Sequence, residues 1–226
     1  MNDRGFTLVE LIVAIAASTI LLLVIGNYVV DAILGSNQDY NRTLVLSNAK
    51  EAVTVVARQV RLAKSVESVN DQPDANAPGA PGNLYSWSGA AGSGGTLILS
   101  VPAKDSTGSV IYIDSLHSSM YTDNVIFYLD SSTHRLYRRY IANASATGDV
   151  GVTTCPPSKA TSTCPADAVV VDDVANLTTT YMDNNNNVVT NPSGTEAVKY
   201  TVTETRTIHS HVYTGTYTTI AALRNR

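Results

Sequence analysis

Charged residues are scarce in this sequence, cysteines number only two, and basic residues are not clustered. Asp, Glu, Lys and Arg make up 15% of the 226 residues, and the formal net charge is −4. The scarcity of clustered Lys and Arg argues against nucleic acid as a partner, because such binding requires concentrated positive charge. No Ser, His or Asp stands in a nucleophile elbow or a comparable catalytic context. The sequence therefore predicts a protein that is not an enzyme.

One long apolar segment, residues 6–30, dominates the N-terminal part of the chain. From Leu11 to Val30 no charged residue occurs, and about 20 such residues are enough to cross a bilayer as a helix. A membrane anchor and a cleaved secretory signal are two simple interpretations, and Ala14-Ile15-Ala16 imitates a signal cleavage site. Neither explains Glu10, because a carboxylate inside a membrane helix is costly and usually functional.

Glu10 gains a natural partner if the chain is cleaved between Gly5 and Phe6. Cleavage would create a positively charged amine on Phe6 and leave Glu10 in the first helical turns, where the helix dipole favours a negative charge. The carboxylate and the amine could then pair within one chain or between neighbouring chains. A buried pair of this kind adds little stability but sets the register of the packed helices.

The run Arg4-Gly5-Phe6-Thr7-Leu8-Val9-Glu10, followed by the apolar segment, resembles the processing signature of type IV prepilins and type II secretion pseudopilins. The resemblance implies that residues 1–5 are a leader peptide, that a prepilin peptidase cleaves after Gly5, and that Phe6 is N-methylated. It also implies that the helix 6–30 spans the membrane and then enters the core of a filament, where Glu10 acts in assembly. The implied partners are other pilin or pseudopilin subunits, the prepilin peptidase, the inner-membrane assembly platform and the membrane.

Residues 31–69 continue the helical pattern in amphipathic form. Apolar residues recur at intervals of three and four, which predicts one apolar stripe on a helix: Leu46, Ala49, Val53, Val56, Val60 and Ala63. We expect this part to pack on the protein's own globular domain. A break between two helices near Gly35–Asn37 remains an alternative.

Residues 70–95 form a segment rich in Pro and Gly, which predicts a flexible surface loop. Tyr85 and Trp87 lie within it. They are interpreted either as anchors to the domain or as a contact surface, and the sequence does not separate these roles.

Residues 96–226 have the pattern of a β-rich head. Short β-branched and aromatic runs alternate with turn residues, which predicts strands at 96–101, 110–113, 125–129, 136–141, 168–171, 177–182, 188–190, 198–207 and 212–223. Hairpin loops are predicted at 130–134 and 183–187, and the last two strands should form a terminal hairpin. Because no helical crossover separates these runs, the predicted class is α+β, a long N-terminal helix packed on an antiparallel sheet as in the pilin fold.

Cys155 and Cys164 flank a short segment rich in Pro, Ser and Thr. Downstream of an export segment they are interpreted as a disulfide formed in an oxidising compartment. Two free thiols or half of a metal site are the alternatives.

Two groups of residues invite a metal interpretation. Asp183, Asn185 and Asn187 have the spacing of the first ligands of a calcium loop, but Val188 and Gly194 stand where an EF-hand needs Gly and Glu. A hairpin turn is therefore preferred, and no cofactor is predicted. His209 and His211 would share a strand face and suit zinc, but no third ligand is near in sequence.

The C-terminal third resembles the tails of PilW-type minor pilins and J-type minor pseudopilins. This resemblance rests on the segment from Val171 to Tyr181, the Asn-rich turn after it, and the last residues from Thr219. It implies a structural minor subunit that is built into, primes or caps a type IV pilus or a type II secretion pseudopilus. The protein would sit in the inner membrane with its head outside the cytoplasm, and later in the filament. The alternative is a membrane-anchored binding or adhesion module that does not polymerise.

Overall fold

The computed structural model describes residues 7–208 and 210–224. A single helix, α1 (Leu8–Leu62), opens the described chain, and it continues through Gly35, where the sequence allowed a break. The described residues up to Leu44 belong to one compact unit and those from Val45 to a second. In the second unit α1 packs against antiparallel β-sheets, so the predicted α+β class with a long N-terminal helix is confirmed.

Ten strands follow the helix within the described residues. Their bounds are β1 Ser65–Glu67, β2 Gly92–Ser93, β3 Leu97–Pro102, β4 Thr122–Asp130, β5 Arg135–Ile141, β6 Ala168–Val171, β7 Val174–Met182, β8 Val188–Val189, β9 Ala197–Ile208 and β10 His211–Ala222. The prediction located eight of them to within a few residues and missed β1 and β2. Its strand at 110–113 was wrong, because this stretch makes only isolated bridges from Val110 and Tyr112.

The C-terminal part of α1 packs through small apolar side chains. Ala49, Val53, Val56 and Val60 are buried in one cluster with side chains of both sheets, as the apolar stripe predicted. The first member of the stripe was wrong: Leu46 is exposed and Val45 is buried in its place. Small residues at this face let the helix backbone come close to the strands, which favours dense packing.

The helix ends at Leu62, before the predicted limit of Val69. Two residues later the backbone amide of Lys64 donates to the carbonyl oxygen of Ser100, and Ser65 pairs with Ser100 in the β1–β3 ladder. The chain therefore exchanges helical hydrogen bonds for sheet hydrogen bonds. This pairing depends on a strand more than 30 residues away, which a local apolar pattern does not indicate.

The strands form two five-stranded sheets where one was expected. The first has the order β1-β3-β4-β5-β6, and the second has the order β10-β9-β7-β2 with β8 paired to β7. All ladders between these strands are antiparallel. The hairpin predicted at 130–134 joins β4 and β5, the hairpin at 183–187 joins β7 and β8, and the terminal hairpin pairs β9 with β10.

The long strand β9 alternates as predicted. Val198, Tyr200, Val202 and Glu204 are buried, whereas the residues between them are partly or fully exposed. On the neighbouring strand β10, Gly215 lies opposite Glu204. A Cβ atom on Gly215 would lie 2.9 Å from the backbone nitrogen of Leu46, so helix and sheet approach closely at this point.

Part of the segment 70–95 packs on the first sheet. Ala77 and Trp87 are buried in a second apolar cluster with Ile98, Ile126 and Ile141. Tyr85, in contrast, is 47% exposed. Of the two interpretations of the aromatics, anchoring to the domain is correct for Trp87. Most other described side chains of the segment are exposed or partly exposed, as expected for a surface loop, and its flexibility stays a prediction.

Candidate functional site

The apolar part of α1 is uncovered. From Leu8 to Leu34 the large apolar side chains are each between 47 and 75% exposed. By length and composition this is a helix able to cross a membrane, although such a helix near an N-terminus can also belong to a signal sequence. A continuous apolar surface of this kind needs lipid or other apolar helices around it.

Thr7 and Glu10 form a capping box at the start of this helix. The Thr7 backbone amide and the Thr7 hydroxyl each donate to Glu10 Oε2 at 2.9 Å, and the Glu10 amide donates to Thr7 Oγ1 at 3.3 Å. The pattern Thr-x-x-Glu satisfies two amides that the first turn of a helix otherwise leaves without a partner. Glu10 therefore has a structural role within its own chain.

The polar side chains farther along the apolar segment bond to their own helix. The Ser18 hydroxyl donates to the carbonyl oxygen of Ala14 at 2.7 Å, and the Thr19 hydroxyl donates to that of Ile15 at 2.7 Å. Both hydroxyl groups therefore donate to a carbonyl oxygen of their own helix and need no donor site outside it. Satisfied hydroxyls are tolerated in lipid and at tight helix contacts.

The predicted processing site, Gly5 and Phe6, lies outside the described residues. Glu10 is therefore the predicted assembly residue whose surroundings are described. Its pairing with a Phe6 amine, in the same chain or in a neighbouring one, stays a prediction.

In the head, the fully buried Arg139 binds two carboxylates. Its Nε and Nη2 atoms donate to the two oxygens of Asp74 at 2.7 and 2.6 Å, and its Nη1 atom donates to the oxygens of Asp167 at 3.1 and 3.3 Å. Both aspartates are buried as well. Removing three charges from water is costly, so such a cluster persists only when its hydrogen bonds are complete.

Neighbouring side chains complete that cluster. Trp87 Nε1 donates to Asp74 Oδ2 at 2.6 Å, and the Tyr128 and Thr154 hydroxyls donate to Asp167 at 2.8 and 2.5 Å. Burial, followed by the bond to Asp167, raises the pKa of Tyr128, so its hydroxyl stays a proton donor. The cluster joins the 70–95 segment and the segment before β6 to strand β5.

Glu204 is a second buried charge, and it is incompletely paired. Its Oε1 atom accepts from Asn48 Nδ2 at 3.2 Å, whereas Oε2 is buried without a hydrogen-bond partner among the described residues. Burial raises the pKa of Glu204 to about 7, and the Asn48 hydrogen bond opposes this shift. A carboxyl group with these surroundings changes charge near neutral pH.

The candidate calcium residues form a hydrogen-bonded turn. Asp183 Oδ1 accepts from the backbone amides of Asn185 and Asn187 at 2.8 Å each, and Asp183 Oδ2 accepts from Asn187 Nδ2 at 3.0 Å. The Asn187 side chain is the main cause that lowers the pKa of Asp183. Within residues 7–208 and 210–224, no group of three or more His, Cys, Asp or Glu side chains is placed to hold a metal ion.

The two cysteines and the two histidines have different outcomes. Cys155 and Cys164 form a disulfide, as predicted. His211 is exposed at the start of β10. His209 lies outside the described residues, so the interpretation of the two histidines as a zinc site is not tested.

Sequence reasoning missed the buried Arg139 cluster and the buried Glu204 of the head, although weak signals existed. Arg139 alternates with Tyr137 and Ile141 in β5, which places a charge on a buried face. Glu204 likewise continues the apolar alternation of β9. A charged residue in phase with core residues is such a signal, but only the fold shows its partners.

Comparison with curated proteins finds no significant match for the chain. A comparison with family models does find one, and it covers the N-terminal segment. The motif concerned supports a protein processed like type IV pilins or pseudopilins, and with the apolar helix it suggests membrane anchoring before assembly. Residues 1–26 match the prokaryotic N-terminal methylation motif, the type IV prepilin-like signal, at the head of a long apolar helix.

Proposed function

We propose that this protein is a minor pilin or pseudopilin that is cleaved after Gly5 and is built into, primes or caps a type IV pilus or a type II secretion pseudopilus. The observation that carries the proposal is the uncovered apolar helix, the first part of which lies within the methylation motif. A helix of this kind is apolar enough to remain in the lipid bilayer before assembly. It is also smooth enough to pack against related helices.

In this proposal Glu10 has two successive partners. Before assembly its carboxylate accepts hydrogen bonds from Thr7: the backbone amide and the hydroxyl of Thr7 each lie 2.9 Å from Glu10 Oε2. During assembly the carboxylate exchanges these bonds for the methylated amine of Phe6 on a neighbouring subunit. The exchange neutralises both charges as they leave water, and it sets the axial register of the helices.

The partners follow from the same proposal. A prepilin peptidase removes residues 1–5, the inner-membrane assembly platform extracts the helix from the bilayer, and other pilin or pseudopilin subunits surround it. The protein is then a single-pass inner-membrane protein with its head outside the cytoplasm, and later a filament subunit in the periplasm or at the cell surface. The head serves as the outward-facing part of the subunit.

The test compares Glu10→Ala with Thr7→Val in cells. Glu10→Ala removes the charge, whereas Thr7→Val removes the hydroxyl hydrogen bonds of the capping box and keeps the charge. We expect Glu10→Ala to lower the amount of protein in the purified filament fraction at least about tenfold, because breaking a buried pair costs several kcal/mol, and Thr7→Val to assemble. Normal assembly of Glu10→Ala contradicts the proposed role of the pair.

Mass spectrometry of the mature N-terminus checks processing in both variants and in the parent protein. We expect chains that begin with an N-methylated Phe6. A chain that still begins at Met1 contradicts the filament function and favours an anchored module that does not polymerise.

A further inference from the structure

A cavity of about 310 Å³ opens beside Glu204 in the second compact unit. Its walls come from four parts of the fold: α1 (Asn48 and Glu51), the end of β6, the turn between β6 and β7, and β9. This volume is at the small end of ligand pockets, so it suits a side chain or another small group.

Glu204 lines the cavity and carries a buried acceptor atom, Oε2. Glu204 is 1% exposed, and its Oε2 atom has no hydrogen-bond partner among the described residues. A buried carboxylate oxygen without a donor is costly. The cost disappears when a positively charged donor enters the cavity.

The rim of the cavity is negative, and Arg206, which lines it, is only loosely paired. Asp172 and Asp173 lie at the turn, and both are exposed. Arg206 Nε is 3.8 Å from Asp173 Oδ2, which is too long for a hydrogen bond, while Asp172 is bound by Arg135 at 2.6 Å.

Glu51 on the helix adds a further carboxylate to this rim, and it is exposed. Together with Glu204 it leaves the cavity with more negative than positive charge. The net excess attracts a cation.

The spacing of these groups disfavours a metal ion. Within the described ranges no three His, Cys, Asp or Glu side chains converge closely enough to hold one. A guanidinium group, in contrast, is planar and presents five donors to acceptors that lie apart from one another. The Asn48 side-chain amide, which already donates to Glu204 Oε1, leaves its own oxygen as another acceptor.

We propose that this cavity binds the guanidinium group of an arginine side chain carried by a neighbouring polypeptide subunit. The guanidinium donates to Glu204 Oε2 and is held at the rim by Asp173. The assignment of the arginine to a neighbouring subunit rests on the proposed filament function. The preference of the cavity for a guanidinium does not.

The experiment uses the full chain in lipid nanodiscs with ¹³C-labelled glutamate side chains. The Glu204 carboxyl signal is the one that disappears in Glu204→Gln. N-acetyl-arginine methylamide is the probe, and its citrulline counterpart is the control, since citrulline has nearly the same shape without the charge. Asp173→Asn tests the rim, and Asp183→Asn, in the β7–β8 hairpin, is the matched control.

We expect the arginine probe to shift the Glu204 signal saturably and to lower the pH at which Glu204 ionises, with no effect of citrulline. Asp173→Asn should weaken probe binding about fivefold, the effect of losing one exposed charge pair, and Asp183→Asn should not change it. Equal responses to arginine and citrulline would overturn the proposal, as would a response to calcium chloride alone. Failure of probe binding rejects the cavity only, because the filament function is judged separately by the Glu10→Ala variant.

Discussion

Asp74 and Arg139 lie 65 positions apart in the sequence and form a two-point ion pair in which both side chains are buried. Asp74 belongs to the Pro/Gly-rich segment 70–95, and Arg139 belongs to strand β5 of the first sheet. The pair attaches that segment to the sheet. It explains why part of a stretch with the composition of a loose loop is buried against the sheet.

The first prediction concerns this pair. Arg139→Met leaves the carboxylates of Asp74 and Asp167 buried without a cation, so we expect the free energy of unfolding to fall by about 3–5 kcal/mol. Arg138→Met is the matched control, because Arg138 is half-buried on the same strand and makes no ion pair with the described residues. Its expected loss is below about 1 kcal/mol. Urea unfolding of the full chain in detergent measures both, and equal losses would contradict the central role of Arg139.

The second prediction concerns the pH dependence of stability. The pKa of Glu204 is about 7 in the folded protein, against an ordinary value of 4.5. The folded state therefore binds the proton more tightly than the unfolded state. The resulting stabilisation is complete below about pH 4.5 and is lost as the pH rises through about 7.

The size of this loss is at most about 3 kcal/mol, at about 1.36 kcal/mol per pKa unit. Glu204→Gln should remove this component, so its stability relative to the parent protein should rise between pH 5 and pH 8, a window set by the two pKa values. Glu67→Gln, a change on β1 of the other sheet, is the control. Urea unfolding along the pH series, without added arginine compounds, measures the differences, and parallel curves for Glu204→Gln and the parent would refute the assignment.

The third prediction concerns the close approach of α1 to β10. A Cβ atom on Gly215 would lie 2.9 Å from the nitrogen and 3.0 Å from the Cα atom of Leu46. Because backbone atoms cannot swing aside as a side chain does, Gly215→Ala should cost about 1–3 kcal/mol. Gly194→Ala has open space around it and should change stability by less than about 0.5 kcal/mol. Thermal unfolding compares the two variants, and an unchanged midpoint for Gly215→Ala would show that the helix can move away from the sheet.

The main elements of the fold could be predicted from local patterns. The spacing of apolar residues by three and four identified the helix, and alternation by two identified strands such as β9. Turn residues at 130–134 and 183–187 identified two hairpins. These features depend on residues that are close together along the chain, so they can be recognised in a single sequence.

Features that depend on distant partners could not be predicted. The helix ends at Leu62 because Ser65 pairs with Ser100, and Trp87 is buried because Asp74 and Arg139 fix its segment to the sheet. The division into two sheets and the failed strand at 110–113 have the same origin. In each case the deciding interaction joins residues far apart in the sequence.

The sequence by itself determined the character of the N-terminal segment: the dipeptide Gly5-Phe6, one carboxylate at Glu10, and an apolar run of bilayer length. These properties belong to residues that are close together in the sequence, so they do not depend on how the chain folds. The tertiary structure alone decided where Arg139 and Glu204 are buried and which groups surround them. Hydrogen-bond geometry and desolvation determine those outcomes, and both exist only after the chain has brought its parts together.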